Sequence, residues 1–401
     1  MAQHRSTVMA TAASSWSQLP IDILVSIFCE LPIRQILRCT LVCAHWSDAV
    51  RSLRYSSRLK LPPQFPWLLF SGERSHSGLS VAHFYNHLEK ASHALTLPDP
   101  PIHRRLCIGS AHGWLITADH RSMLQLLNPL TGEHVDLPHL PDYIKHVYSL
   151  RGELRHFKLD DFPWYVHPGE LRSQFFKATL SANPSQGSYT VVLIHGGLFK
   201  LSFARAGDEK WTTLDGIMHC DAAFMDGTLY AATRSGGVQA WDLSAPDPTL
   251  RHILPATVAS RSHRYYLART PSGELLHVRT DFLFGSLFDC LTNRRIIKVS
   301  RVDVERGRSI EVGDLGGCAL FLGSNQSICL SSAMFPGLEP DSVYITEDDR
   351  CQKKQKEDEQ VRKLMAYRLT DDKCWSIPLP NLNRSLLIWI TPNICNTDYA
   401  T

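Results

Sequence analysis

The sequence predicts a mainly β chain: a short three-helix N-terminal module followed by a β-propeller built of four-stranded meanders. Three observations carry that expectation. Apolar residues recur at helical spacing between Leu19 and Val50. That period fades from about Leu59, where Pro, Gly and Ser become frequent. Short apolar runs separated by Gly-, Asn- and Pro-containing turns then fill the remainder.

Composition sets the outer limits. With 401 residues and 44% hydrophobic residues, the chain has ample material for a sizeable core. Its 42 basic and 39 acidic residues are interspersed and leave a net charge of +3, so no nucleic-acid or membrane footprint stands out. No run approaches the ~20 apolar residues of a membrane-spanning helix. Met1 to Ser15 has neither a basic start nor a long apolar stretch, and residues 1–15 read as a disordered tail. Eleven cysteines, an odd number without a framework, fit reduced thiols in a cytoplasmic and/or nuclear protein. The sequons at Asn325 and Asn383 carry no weight without a secretion signal.

The helical segment starts at Leu19-Pro20, where proline suits a first turn because its missing N–H would have no intrahelical partner. Ile23, Leu24, Ile27, Phe28 and Leu31 follow at helical spacing. Pro32 breaks the pattern, and Ile36, Leu37, Leu41, Val42, Cys43 and Trp46 supply a second apolar set. So short a segment has too little core to stand alone, so its stripes must dock on something. Spacing does not say whether that is a partner or the next domain. In residue identity, Leu19-Pro20-x-x-Ile23-Leu24-x-x-Ile27-Phe28-x-x-Leu31, Ile36-Leu37 and Leu41-Val42-Cys43-x-x-Trp46 resemble the F-box, placed at residues 16–55. The resemblance implies that these thirteen residues bind a Skp-type adaptor, which recruits cullin and RING subunits of a ubiquitin ligase. Gln35 and Ala44-His45 depart from the usual F-box pattern.

The clearest β unit runs from Cys107 to Pro138: Cys107-Ile108, Trp114 to Thr117, Met123 to Leu127, and Val135 with Leu137, joined by tight turns. Four such strands are what one propeller blade requires. Similar units recur at Tyr189 to Trp211, Ala222 to Leu243, Tyr265 to Val278 and, more loosely, Ala319 to Leu369. The repeat is uneven, and pattern alone leaves a sandwich or two smaller β domains open. Gly109-Ser110-Ala111-His112-Gly113-Trp114-Leu115, Leu127-Asn128-Pro129-Leu130-Thr131-Gly132 and Trp375-Ser376-Ile377-Pro378-Leu379-Pro380 resemble the KIB-type β-propeller of plant F-box proteins, placed at residues 60–395. Trp211, Trp241 and Trp375 read as core aromatics, and Glu347 to Lys363 as a solvated charged loop.

No local signature of catalysis or metal binding stands out: no nucleophile elbow, phosphate-binding loop, zinc helix or paired C-x-x-C. Cys39, Cys43 and His45 read as F-box helix residues, and His219-Cys220-Asp221 and His112 as turns. The expectation is a non-catalytic adaptor with no cofactor and no metal, whose partners are the Skp-type subunit and an unknown target protein. A propeller interaction module outside any ligase, and a propeller enzyme with a dispersed site, are the alternatives.

Overall fold

The computed structural model describes residues 15–55, 61–74, 80–97, 102, 105–119, 122–140, 146–148, 154–156, 175–216, 218–257, 263–281, 297–346, 364–379 and 387–395. The chain divides into a small unit, residues 1–64 with 394–400, and a large one spanning 65–393. Of the expected tail only Ser15 is described, opening a short turn over Ser15–Gln18; the charged stretch at 347–363 also lies outside the described residues.

The small unit holds three helices: α1 (Ile21–Cys29), α2 (Ile33–Cys39) and α3 (Ala44–Tyr55). Pro20 and Pro32 stand at the N-caps of α1 and α2, each in an extended conformation that fixes where the helix begins. Leu24, Val25 and Phe28 of α1, Ile33, Ile36 and Cys39 of α2, and Ala49, Val50 and Leu53 of α3 are buried.

The large unit is a six-bladed propeller. Blade 1 comprises Trp67–Arg74, Ser80–Asn86 and Ala91–Leu97, with Ile388–Ile390 as its inner strand. Blade 2 comprises Leu106–Ala111, Trp114–Ala118, Leu124–Leu127 and His134–Asp136. Blade 3 is Phe175–Leu180, Thr190–His195, Lys200–Arg205 and Thr212–Thr213. Blade 4 is His219–Met225, Thr228–Thr233, Val238–Asp242 and Arg251–Leu254. Blade 5 is His263–Arg269, Leu275–Asp281, Ile297–Asp303 and Arg308–Val312. The ring closes by antiparallel pairing of Trp67, Leu68 and Leu69 with Ile390, Trp389 and Ile388. A separate two-stranded ladder, His146–Tyr148 with Leu154–His156, falls between blades 2 and 3 in sequence.

Apolar clusters fill the seams between blades. In blade 3, Val191 and Leu193 pack toward blade 2, while Val192 and Ile194 pack toward blade 4. Tyr266 and Ala268 of blade 5 face blade 6, whereas Tyr265 and Leu267 face blade 4. A strand covered on both faces has no polar side to show, so its sequence reads as an apolar run rather than an alternation. Trp211 and Trp241 belong to these clusters, and Trp375 packs half-buried against the seam between blades 6 and 1.

Blade 6 departs from the simple meander. Its strands lie in the order Ile328–Ser331, Cys318–Leu322, Ser342–Thr346, Leu364–Arg368, Cys374–Ile377, and Cys318–Leu322 runs parallel to Ser342–Thr346. The first two strands form a hairpin whose return strand takes the inner edge. Gly323 makes this possible, because a Cβ there would lie 2.2 Å from the Thr346 Oγ1.

Candidate functional site

The apolar residues of the helical module fall into two groups. Helix α1 is apolar at positions 21, 23, 24, 25, 27 and 28, which is nearly all round, and such a helix has two faces to cover. One face is the module's own: Leu24, Phe28 and Ile36 are only 1%, 1% and 0% exposed. These three, expected at the adaptor contact, are instead core residues, on sides of α1 and α2 that the fold covers. The second face remains open, with Ile23 at 46%, Ile27 at 39%, Leu41 at 85% and Val42 at 59%. Pro20 is exposed too, while Leu19, Leu31, Leu37, Cys43 and Trp46 are half-buried.

Ile23 and Ile27 are four residues apart and therefore share one side of α1. Leu41 and Val42 project from the turn between α2 and α3, where their N–H groups donate to Arg38 and Cys39 carbonyls at 3.0 and 3.2 Å. One ring contact and two side-chain hydrogen bonds brace this arrangement. The Trp46 ring meets Phe28 edge-on at 5.5 Å, and its Nε1 donates to the Trp16 carbonyl at 3.1 Å. His45, one of the departures from the F-box pattern, donates from Nε2 to the Leu19 carbonyl at 2.6 Å and so ties the Leu19-Pro20 entry to α3. Trp16 and Ile21, at 60% and 38% exposed, add to the apolar surface; only the two-sided apolarity of α1 hinted at Ile21.

The propeller centre is polar and bridged between blades. His219-Cys220-Asp221 is not a turn but the start of the inner strand of blade 4, and it is buried. Asp221 Oδ1 lies 2.7 Å from Lys177 Nζ of blade 3, and Oδ2 accepts from the Leu267 N–H of blade 5 at 2.9 Å. Lys177 Nζ also donates to the Gly323 carbonyl at 3.0 Å and sits 5.4 Å from the Tyr266 ring. Burial pushes the Asp221 carboxyl up, against the opposing pull of Lys177 and two backbone N–H groups. The neighbouring Cys220 thiol is driven to about 12 by burial, so it keeps its proton at neutral pH.

The tip of the blade 6 hairpin, residues 323–327, plugs this centre. The Gln326 N–H donates to the Ser110 carbonyl of blade 2 at 2.9 Å, and the Thr179 hydroxyl of blade 3 donates to the Gln326 side chain at 2.7 Å. Asn325 is wholly buried. His112 is a true turn residue, with φ of 52°. Among the described residues no group of three or more His, Cys, Asp or Glu side chains is placed to hold a metal, and no helix is long and apolar enough to cross a membrane.

Residues 84–368 match the family profile described as the KIB1-4 beta-propeller. The chain belongs to that family. Residues 16–57 match the F-box domain, so the three helices are an F-box ahead of a KIB1-4 propeller. Among relatives from Arabidopsis thaliana, the F-box protein At5g25290 is 25% identical, covering 86% of this chain and 89% of its own. The F-box protein KIB4 is 24% identical over 62% of this chain and 67% of its own. Among solved structures, TolB from Acinetobacter baumannii covers 88% of this chain and 71% of its own at 10% identity and a TM-score of 0.41.

Proposed function

We propose that this KIB1-4 family protein is the substrate-recognition subunit of an SCF-type cullin-RING ubiquitin ligase, acting in the cytoplasm and/or nucleus. The F-box binds a Skp-type adaptor through Ile23, Ile27, Leu41 and Val42, and the propeller holds a target protein. The observation that carries this reading is the exposed apolar surface left on an F-box whose own core is already complete. In that role the chain forms and breaks no bonds itself; it raises the concentration of the target near the ubiquitin donor.

The energetics set a demand on the partner. Covering the still-exposed parts of these four side chains contributes roughly 3–7 kcal/mol, at about 1.5–3 kcal/mol for each whole side chain. Association costs ~4–15 kcal/mol, so the adaptor must also cover Trp16, Ile21 or Pro20 and make polar contacts around them.

The test is co-purification of the full chain with a plant Skp-type adaptor. Ile27→Asp and the double change Leu41→Asp/Val42→Asp are expected to weaken the complex at least tenfold, about 1.4 kcal/mol, without loss of helicity. Leu24→Asp is expected to unfold the F-box instead. A wild-type chain that does not associate, or folded surface variants that associate as well as wild type, would refute the reading.

A further inference from the structure

The hairpin that plugs the propeller carries two thiols at its base. In its antiparallel register Cys318 stands opposite Ser331, and Leu320 opposite Cys329. Cys318 and Cys329 are therefore diagonal neighbours on one face of a two-stranded ladder. Both are free and half-buried. We propose that Cys318 and Cys329 are a redox modification site, oxidised by hydrogen peroxide to a disulfide that a thiol reductant reverses.

The chemistry follows from the pairing. The interaction between the two thiols draws Cys318 down, against its burial and the nearby Asp341 carboxylate. The same interaction raises Cys329, which keeps its proton. Cys318 is thereby the more acidic thiol of the pair, with a resolving thiol beside it, the arrangement of a peroxide-sensitive cysteine. Elsewhere, burial holds Cys220 near 12 and Cys395 near 11, and raises Cys29 and Cys39.

In the first step the Cys318 thiolate attacks one peroxide oxygen, the O–O bond breaks, and hydroxide leaves, giving a sulfenic acid. In the second step the Cys329 sulfur attacks that sulfenic sulfur. The S–O bond breaks, the departing oxygen takes up a proton to leave as water, and the Cys329 proton is released. Two electrons pass from the thiol pair to peroxide. Reduction by two external thiols restores both groups and leaves their disulfide.

Strand geometry makes the bond a labile one. Diagonal neighbours lie about 7–8 Å apart at Cα, against about 4.4–6.8 Å in a disulfide, so closure must draw the strands together by roughly 1 Å. The strand Ile328–Ser331 pairs on one side only, which leaves it room to shift. A bond formed under strain is easily reduced. Any shift at the base reaches the tip, where Gly323, Gln326 and Ser327 contact Lys177, Ser110 and Asp221. Oxidation therefore alters the hydrogen bonding at the centre of the propeller.

The experiment is peroxide titration of the full chain, followed by alkylation, proteolysis without reductant and mass spectrometry, with dimedone as the sulfenic-acid trap. Wild type is expected to yield a peptide pair linked through Cys318 and Cys329, lost on treatment with dithiothreitol. Cys329→Ser is expected to accumulate dimedone on Cys318, and Cys318→Ser to give neither adduct nor link. Hydrogen exchange at residues 323–327 is expected to change on oxidation of wild type and to stay constant in Cys318→Ser. The proposal falls if the link does not form while other thiols of the folded chain oxidise, or if Cys329→Ser traps no sulfenic acid on Cys318. Neither outcome depends on adaptor binding.

Discussion

The side chains of Lys177 and Asp221 are 4% and 0% exposed, and each is the other's charge partner in a site that also ties Leu267 and Gly323 to it. Removing one member of a buried pair leaves an uncompensated charge, which costs about 3–5 kcal/mol. Lys177→Met and Asp221→Leu are each expected to lower stability to urea by that amount, whereas the double variant recovers much of the loss because no lone charge remains. A double variant that loses the sum of the two single losses would show that the pair is not coupled. None of this was legible from the residues themselves. His219-Cys220-Asp221 are adjacent in sequence, but the Asp221 partner lies in another blade, and propeller geometry alone brings Lys177 to it. The F-box motif, by contrast, was readable because its pattern is local. Even there, spacing could not separate Leu24 and Phe28, which fill the core, from Ile23 and Ile27, which face outward. Both pairs satisfy the same period of four.

At the level of elements, turns and short strands were visible because Gly, Asn and Pro mark them. The Asn128 to Gly132 turn, where the Asn128 side chain accepts from the Leu130 and Thr131 N–H groups, has the residues its geometry demands. The order of strands in blade 6 was not visible, since Cys318–Leu322 and Ile328–Ser331 look alike as apolar runs whichever one lies inside. Blade 1 was also missed, because Trp67–Arg74 completes its sheet only with a strand more than three hundred residues later. Close approach of neighbouring inner strands gives an element-level prediction. A Cβ on Gly109 of blade 2 would stand 2.1 Å from the Ala178 carbonyl oxygen of blade 3. Gly109→Ala must therefore push two backbones apart, at a cost of about 1–3 kcal/mol. Thermal unfolding should show a lowered midpoint, while Gly313→Ala, which meets nothing within 4 Å, should leave it unchanged.

For the whole molecule, stability should depend on pH through two sheet histidines, His195, which is buried, and His277, which is half-buried. Burial lowers His195 and His277 from the usual 6.5 to about 4, with Lys200 and Arg279 adding repulsion. The unfolded chain then binds protons that the folded chain refuses, so the stability is present above about 6.5 and lost as pH falls toward about 4. Linkage gives a loss on the order of 2 kcal/mol per histidine between pH 7 and pH 5. Urea midpoints at the two pH values should differ accordingly, and His195→Gln with His277→Gln should flatten that difference. An unchanged pH dependence in the double variant would rule out these two groups as its source.

The inner strand of blade 1 comes from residues 388–390, long after its three companions have been made. During synthesis the F-box and five blades emerge while Trp67–Arg74 still shows an unpaired edge, the kind of surface that chaperones hold and aggregates extend. A chain cut short anywhere before Ile388 would keep that edge for good. Under the role proposed above, such a fragment would still carry its adaptor-binding helices without a closed ring to hold a target. Closure thus doubles as a completeness test, in which the strand at Ile388–Ile390 decides whether the first blade is finished.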